Sequence, residues 1–354
     1  MMQMQQGKPA LTRRQLGMSS LLLLLPAWVQ ARSSPSSPGA DSTAVQRDSA
    51  LLMGTRVDII AVHADPAQRE SALTAAWDEM LRLSEMMSRY RSASQISLLA
   101  QAAGAAALPV APELMQMLQQ AARLHRLSEG RFDISVGAYS DWHFEAGHRP
   151  SLPDAATLRR QRGLVDASQI ELDAAHGTAR LARAGMKLDL GGIAKLPILE
   201  AGLRQLQAHG IANALINGGG DVLCSGTLLG QPWRIGLRDP RAPQRLLGVL
   251  PLRGGVVAAS GDYERGFDLR GRRYHHILDP RRGQPSQGLH GLALVADDVT
   301  AVNGWGAAMM VAGPQLARQW AAALPGVEAM LADKEQVWLS SGLRQRLGPN
   351  IIDP

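Results

Sequence analysis

Residues 188–195, which read Leu-Asp-Leu-Gly-Gly-Ile-Ala-Lys, predict a corner where a strand turns into a helix. The apolar residues before the two glycines are typical of a strand end, and the apolar positions from Ile198 onward predict a helix. The glycines let another group approach the backbone, and a helix start presents free N–H groups that suit a phosphate. An ordinary turn with a surface salt bridge between Asp189 and Lys195 explains this segment equally well.

The order of the predicted elements points to the α+β fold class, with mixed sheets and packed helices. Strands and helices are mixed without regular βαβ alternation, which disfavours a doubly wound parallel sheet. Residues 147–163 are polar and predict a surface excursion. Predicted strands lie near residues 56–62, 170–172, 178–182, 215–217, 221–224, 233–237, 256–260, 267–269, 292–295 and 337–339, and predicted helices near residues 66–87, 112–128, 195–209, 300–312 and 314–323.

Charge and cysteine content exclude two classes of function. The net charge of +6 falls to +2 once the first 32 residues, with four basic and no acidic side chains, are set aside. This near-balance, without any basic run, argues against nucleic acid as the main partner. The single cysteine, Cys224, excludes an intramolecular disulfide framework and a cysteine-based zinc site.

The first 31 residues are typical of a removable export signal. Arg13 and Arg14 precede a short apolar core at 21–25, and small residues follow at 29–31. The paired arginines favour a twin-arginine signal, with a plain secretory signal as the alternative. Residues 32–48, rich in Ser and Pro at their start, predict a flexible linker. We therefore expect a periplasmic protein.

Several common catalytic and nucleotide-binding motifs are missing. The glycine-rich turn at 217–221 does not complete G-x-G-x-x-G, because Leu223 stands at the last glycine position. Lys195 is followed by Leu196 rather than Ser or Thr, so there is no P-loop. H-E-x-x-H and G-x-S-x-G are also absent from the chain.

Two polar segments are the candidates for chemistry, residues 260–265 (Ser-Gly-Asp-Tyr-Glu-Arg) and 275–280 (His-His-Ile-Leu-Asp-Pro). Adjacent histidines in a strand point to opposite faces, so at most one of His275 and His276 faces a given site. A partly buried histidine with satisfied hydrogen bonds is the competing interpretation for either of them.

Seven motifs occur in an order that resembles the ApbE family of FAD:protein FMN transferases. The resemblance covers residues 51–347. The motifs lie at 53–55 (Met-Gly-Thr), 88–91 (Ser-Arg-Tyr-Arg), 132–137 (Phe-Asp-Ile-Ser-Val-Gly), 188–195, 217–221 (Asn-Gly-Gly-Gly-Asp), 259–265 and 275–280.

The resemblance implies an activity and its partners. It implies one ApbE-like domain, residues 49–347, that binds FAD outside the cytoplasmic membrane. It also implies magnesium-assisted cleavage of the FAD pyrophosphate, transfer of FMN to a Thr or Ser of an acceptor flavoprotein, and release of AMP. Any contact with a membrane is expected only through partner proteins.

The same resemblance implies roles for particular residues. His275 or His276 would carry the proton of the attacking hydroxyl, with Asp262 as a further polar candidate. The expected FAD contacts are Met53, Tyr90, Arg131, Phe132, Asp133, Asp189, Lys195 and Ile277.

The chain departs from the family pattern at the implied magnesium site. Backbone carbonyls of Gly192 and Gly306 remain available, but Asn303 and Ala307 stand where the family has Asp and Thr. Magnesium prefers anionic oxygen ligands, so this change weakens the expected site. Leu196 also replaces a glycine next to the predicted ligand. The alternatives are therefore a non-catalytic FAD-binding accessory or flavin carrier of a periplasmic redox system, and an FAD pyrophosphatase.

Overall fold

The computed structural model describes residues 44–144, 147 and 149–348. The predicted export signal and residues 32–43 of the predicted linker lie outside this part. The strands are β1 (Val45–Leu52), β2 (Thr55–Val62), β3 (Leu108–Pro109), β4 (Ile170–Asp173), β5 (Thr178–Leu181), β6 (Asn213–Gly218), β7 (Asp221–Ser225), β8 (Trp233–Asp239), β9 (Ala242–Leu252), β10 (Gly254–Gly261), β11 (Gly266–Leu269), β12 (Arg272–His275), β13 (Leu278–Asp279), β14 (Gln284–Pro285), β15 (Leu289–Ala296), β16 (Glu328–Asp333) and β17 (Val337–Leu339).

Helices lie between and after these strands, and two short 3-10 helices span Ile134–Ala138 and Ala167–Gln169. None of the helices in the described residues is both long and apolar enough to cross a bilayer. The helices are α1 (Pro66–Met86), α2 (Gln95–Gln101), α3 (Pro112–Leu127), α4 (Ala155–Arg162), α5 (Lys195–Ala208), α6 (Val299–Val302), α7 (Trp305–Ala312), α8 (Pro314–Ala323) and α9 (Ser341–Leu347).

An eight-stranded antiparallel sheet, in the order β1-β2-β6-β7-β10-β15-β16-β17, separates two cores. Strand alternation sends neighbouring residues to opposite faces. Ile216 and Val256 therefore join the core formed with helices α1, α3, α5 and α7, whereas Leu215 and Val257 join the core under the β8–β9 hairpin and α9. The α+β prediction is confirmed.

Local signals explain the helix starts that the sequence predicts. The side chain of Asp65 accepts hydrogen bonds from the backbone N–H groups of Ala67 and Gln68, and Pro66 opens α1. Helix α1 packs on α5 where Gly202 removes a side chain, because a Cβ there would lie 2.6 Å from the sulfur of Met80.

The structure corrects several predicted boundaries. Strand β1 begins at Val45, inside the predicted linker and four residues before the predicted domain start. Residues 188–190 form a loop rather than a strand end. The helix predicted at 300–312 is two helices, because Gly304, with φ of 76°, interrupts it. The predicted surface excursion contains α4.

Candidate functional site

The glycine corner of the octapeptide is held by the 3-10 helix that spans Ile134–Ala138. The backbone N–H of Asp189 donates to the carbonyl of Ile134 at 2.7 Å. A Cβ on Gly137 would lie 2.6 Å from the carbonyl carbon of Leu188, so only glycine permits this approach. Two motifs that lie about fifty residues apart in the sequence are thus joined, and α5 begins at Lys195.

Contacts to both carboxylate oxygens hold the side chain of Asp189 in place beside the glycine corner. Its Oδ1 accepts from the N–H of Gly191 at 2.8 Å, and its Oδ2 pairs with Nη1 of Arg89 at 3.0 Å. The guanidinium of Arg89 also lies over the ring of Tyr90, 4.9 Å from its centre. Tyr90 is 66% exposed.

A buried ion pair ties the start of α5 to the sheet. The ammonium of Lys195 lies 2.7 Å from Oδ2 of Asp221, whose side chain is only 6% exposed. The other oxygen, Oδ1, accepts from the N–H of Ala259 at 2.8 Å. Lys195, Asp221 and β10 therefore share one rigid junction, and Lys195 keeps part of its surface in solvent.

Arg265 connects the first hairpin to the histidine segment. Its Nη2 donates to the carbonyl of Met53 at 2.9 Å, in a turn where Met53 and Gly54 both have positive φ. The carbonyl of Arg265 lies 3.2 Å from both the N–H and the Nδ1 of His276. Because a carbonyl only accepts, Nδ1 of His276 carries the proton, and Nε2 has a free lone pair.

The environment of His276 keeps the imidazole neutral. His276 is exposed to solvent, yet nearby protein atoms still desolvate its ring in part. Desolvation lowers the pKa of His276 to about 4, and the positive charges of Arg265 and Lys195 act in the same direction. His276 is then a proton acceptor at neutral pH.

His276 lies in the bend after β12 and is exposed, whereas His275 is the last residue of that strand. Its side chain is buried, and Nε2 donates to the carbonyl of Ser286 at 2.9 Å. Nδ1 has no hydrogen-bond partner among the described residues, and burial lowers the pKa of His275. Asp262 pairs with Nδ1 of His290 at 2.7 Å and, in the described part of the chain, makes no hydrogen bond to His275 or His276. The contacts therefore favour His276 over His275 as the proton acceptor.

Asp133 and Ile277 support the structure around the site. Both carboxylate oxygens of Asp133 accept hydrogen bonds, from Ser135 and from the N–H of Ala167, and its side chain is 4% exposed. Ile277 is buried in the main core, and its carbonyl accepts from the N–H of Ser286 at 2.9 Å. Neither side chain is available for a polar contact with a ligand.

Arg131 and Phe132 point in different directions. The guanidinium of Arg131 pairs with Glu129 at 2.8 Å and lies 5.7 Å from the ring centre of Trp320. Phe132 is buried beside the glycine corner, where a Cβ on Gly192 would lie 3.3 Å from its ring. Phe132 therefore lies at the corner, whereas the side chain of Arg131 is engaged elsewhere.

Three of the four predicted metal-site residues lie against the corner or β10. A Cβ on Gly192 would lie 3.4 Å from the methyl of Ala307, and a Cβ on Gly306 would lie 2.4 Å from Oγ of Ser260. The fourth residue, Asn303, is buried, and its Nδ2 donates to Oε1 of Gln120 at 3.1 Å.

These residues do not fit magnesium. A methyl group cannot ligate, the amide of Asn303 is neutral, and Mg²⁺ is a hard cation that favours carboxylate ligands. Within the described residues, no group of three His, Cys, Asp or Glu side chains is placed to hold a metal ion. Leu196 is 6% exposed and packs in the main core, so it does not project towards a ligand as the sequence suggested.

Sequence reasoning missed three partners of the predicted residues. Arg89, Asp221 and Arg265 all lie within the quoted motifs, so the motif series contained their signal. Their pairing with Asp189, Lys195 and Met53 joins positions far apart in sequence, which spacing alone does not reveal.

The structure is an α+β fold in which a glycine corner and the start of α5 lie beside the first residue of β7. The ApbE family model matches residues 53–331. The chain is 33% identical over 238 residues to an FAD:protein FMN transferase of Klebsiella pneumoniae (strain 342), covering 67% of this chain and 72% of the relative. It is 30% identical over 315 residues to an FAD:protein FMN transferase of Treponema pallidum (strain Nichols), covering 84% and 87%.

Solved structures agree with these relatives. The crystal structure of the ApbE protein of Thermotoga maritima superposes with a TM-score of 0.79 at 26% identity, covering 86% of this chain and 99% of that chain. The flavin transferase ApbE of Vibrio cholerae superposes with a TM-score of 0.74 at 25% identity, covering 86% and 100%. This chain belongs to the ApbE family.

Proposed function

We propose that this chain is an FAD:protein FMN transferase, which moves FMN from FAD to a Thr or Ser hydroxyl of a partner flavoprotein and releases AMP. The observation that carries the proposal is that Arg265 contacts both Met53 and His276, while Lys195 pairs with Asp221 at the start of β7. The names of the relatives at 33% and 30% identity support the same activity.

The proposed reaction needs a proton acceptor beside the attacking hydroxyl. The hydroxyl oxygen attacks the phosphorus of the FMN half, and the bond between that phosphorus and the bridging oxygen breaks. AMP leaves with the bonding electrons, and the hydroxyl proton passes to Nε2 of His276. The lone pair on Nε2 and the low pKa of His276 support this role, since the ring is neutral before the reaction.

Two side-chain cations suit the phosphates of FAD. The positive charges of Lys195 and Arg265 both lower the pKa of His276, so both cations act on the proposed proton acceptor. We assign them to the pyrophosphate, and Met53, Tyr90 and Phe132 to the flavin half. Asp189 then positions Arg89 and the glycine corner rather than the reacting atoms.

The proposal also includes a partner, an acceptor flavoprotein, and a compartment, the periplasm. An acceptor flavoprotein with an accessible Thr or Ser is required by the reaction. The predicted twin-arginine signal at residues 1–31 supports a periplasmic location, where the protein would act on exported acceptors. Identification of covalent flavin on a periplasmic protein in cells, lost when the gene is deleted, tests both points.

The activity is tested by incubating the purified protein with FAD and an acceptor domain that carries the target Thr. We expect covalent flavin fluorescence on the acceptor and release of one AMP per flavin. His276→Ala should lower the rate by about a hundredfold, as expected for loss of a general base. His176→Ala, at an exposed position whose histidine pairs only with Asp173, is the matched control.

A second candidate is a non-catalytic FAD-binding protein, an accessory or flavin carrier of a periplasmic redox system. Asn303 and Ala307 at the corner favour it, because they remove the carboxylate and hydroxyl that the family uses. Tight retention of FAD without AMP release would support this candidate. Release of FMN and AMP without labelling of the acceptor would instead support an FAD pyrophosphatase.

A further inference from the structure

We infer that this chain binds FAD without a magnesium ion at the family's metal corner, and that Lys195 and Arg265 supply the positive charge there. The inference rests on the proposed function for its ligand, FAD. It concerns the residues that surround the pyrophosphate, where the sequence departs from the family pattern.

Asn303 and Ala307 replace the two side chains that would ligate a metal in the family pattern. Both replacements lie against neighbouring residues. The methyl of Ala307 faces Gly192, since a Cβ built on that glycine would lie 3.4 Å from it. Asn303 is 4% exposed and donates to Gln120 on α3, so its amide is part of the packing between α3 and the start of α7. The corner is built as a packed contact rather than as a cation cage.

No carboxylate just upstream takes over the missing charge. Asp298 accepts hydrogen bonds from the N–H and the Oγ1 of Thr300, which lower the pKa of Asp298 and cap α6. Asp297 lines a surface depression with Gly254 at the start of β10. Gly306 abuts Ser260 near the other end of that strand, about 20 Å away at the rise of a β-strand.

Two carboxylates in the motifs around the glycine corner already pair with side-chain cations. Asp189 pairs with Arg89, and Asp221 pairs with Lys195, in contacts of 3.0 and 2.7 Å. An additional divalent cation would therefore find no uncompensated negative side chain at these positions. The phosphates of FAD are the only strong anions that the proposed complex adds.

Arg265 is the cation that remains for those phosphates. Among the described residues, no carboxylate lies within ion-pair distance of its guanidinium, which donates only to the carbonyl of Met53. Lys195 stays 28% exposed while it pairs with Asp221, so solvent still reaches part of its side chain. Charge-assisted hydrogen bonds from these two groups replace the electrostatic part of a metal contact.

The test measures metal and FAD binding directly. FAD is titrated into the full protein with Mg²⁺ or with EDTA, and flavin fluorescence gives the dissociation constant. Mn²⁺, which takes similar oxygen ligands, is followed by electron paramagnetic resonance with and without FAD. We expect the FAD dissociation constant to differ by less than about twofold between Mg²⁺ and EDTA, and Arg265→Met to raise it about tenfold.

Two variants complete the test. Asn303→Asp with Ala307→Thr should create Mn²⁺ binding in the FAD complex and make FAD affinity depend on Mg²⁺ by about tenfold. Asp297→Asn, which changes a carboxylate away from the corner, should match the unmodified protein in every titration. If the double variant does not fold, the titrations of the unmodified protein still decide the question.

Uptake of one Mn²⁺ per chain by the unmodified FAD complex, or a tenfold loss of FAD affinity in EDTA, would overturn the inference. Unchanged FAD affinity in Arg265→Met would overturn the assignment of the charge. A protein that binds no FAD under any condition would contradict the proposed function instead. In that case, the Mn²⁺ titration without FAD still tests whether the corner holds a metal.

Discussion

Replacement of Lys195 by Met should destabilise the protein through the carboxylate that it leaves behind. Asp221 is 6% exposed and would keep its hydrogen bond from Ala259 but lose the ammonium at 2.7 Å. Breaking a fully buried ion pair costs about 3–5 kcal/mol, and the 28% exposure of Lys195 lowers the expected loss to about 2–3 kcal/mol. With an m-value of about 3 kcal/mol/M, the urea midpoint should fall by roughly 1 M.

The double variant Lys195→Met/Asp221→Asn isolates the cause of this loss. Asn is neutral and its side-chain oxygen can still accept from Ala259, so it should recover at least half of the lost stability. Arg204→Met is the matched control, because Arg204 lies on the same helix, is 70% exposed and pairs with Glu200 at 3.0 Å. It should cost less than about 0.5 kcal/mol. A Lys195→Met variant as stable as this control, or a double variant no better than the single, would refute the reasoning.

Three further predictions concern parts of the chain outside the proposed chemistry. Burial lowers the pKa of His275 below its ordinary 6.5, so the native state resists protonation; unfolding by urea should become easier as pH falls below 6.5, and His275→Gln should flatten that trend. Gly137→Ala places a Cβ 2.6 Å from the Leu188 carbonyl carbon and should cost about 1–3 kcal/mol by thermal unfolding, whereas Gly254→Ala, with 3.8 Å to its nearest contact, should cost far less. Burial raises the pKa of Cys224 to about 11, so Cys224 should react with a thiol reagent only after unfolding.

Local signals in the sequence predict most of the helices and the central strands. Asp65 and Pro66 start α1 as predicted, and the alternating apolar residues of β2 lie in the sheet. Strand β1 was missed because Val45–Leu52 carries Gln, Arg, Asp and Ser, a polar composition that is permitted at the edge of a sheet. Its pairing with β2, rather than its own pattern, makes it a strand.

The site was predictable as a set of motifs but not as a set of contacts. The motif at 275–280 and strand alternation reveal that one histidine is exposed, but only the structure identifies His276 and the tautomer set by Arg265. Likewise, the exchange of Asp for Asn at 303 is visible in sequence, whereas the bond from Asn303 to Gln120 depends on packing between α3 and the α6–α7 junction. Long-range pairing accounts for the difference.

The most direct test of the proposed activity measures AMP and covalent flavin in one reaction. The purified protein is mixed with FAD and an acceptor domain carrying the target Thr, once with Mg²⁺ and once with EDTA. We predict flavin bound to the acceptor and an equal amount of AMP in both reactions, with both products formed about a hundredfold more slowly in His276→Ala. Retention of intact FAD, with neither AMP nor labelled acceptor in either reaction, would contradict the transferase assignment.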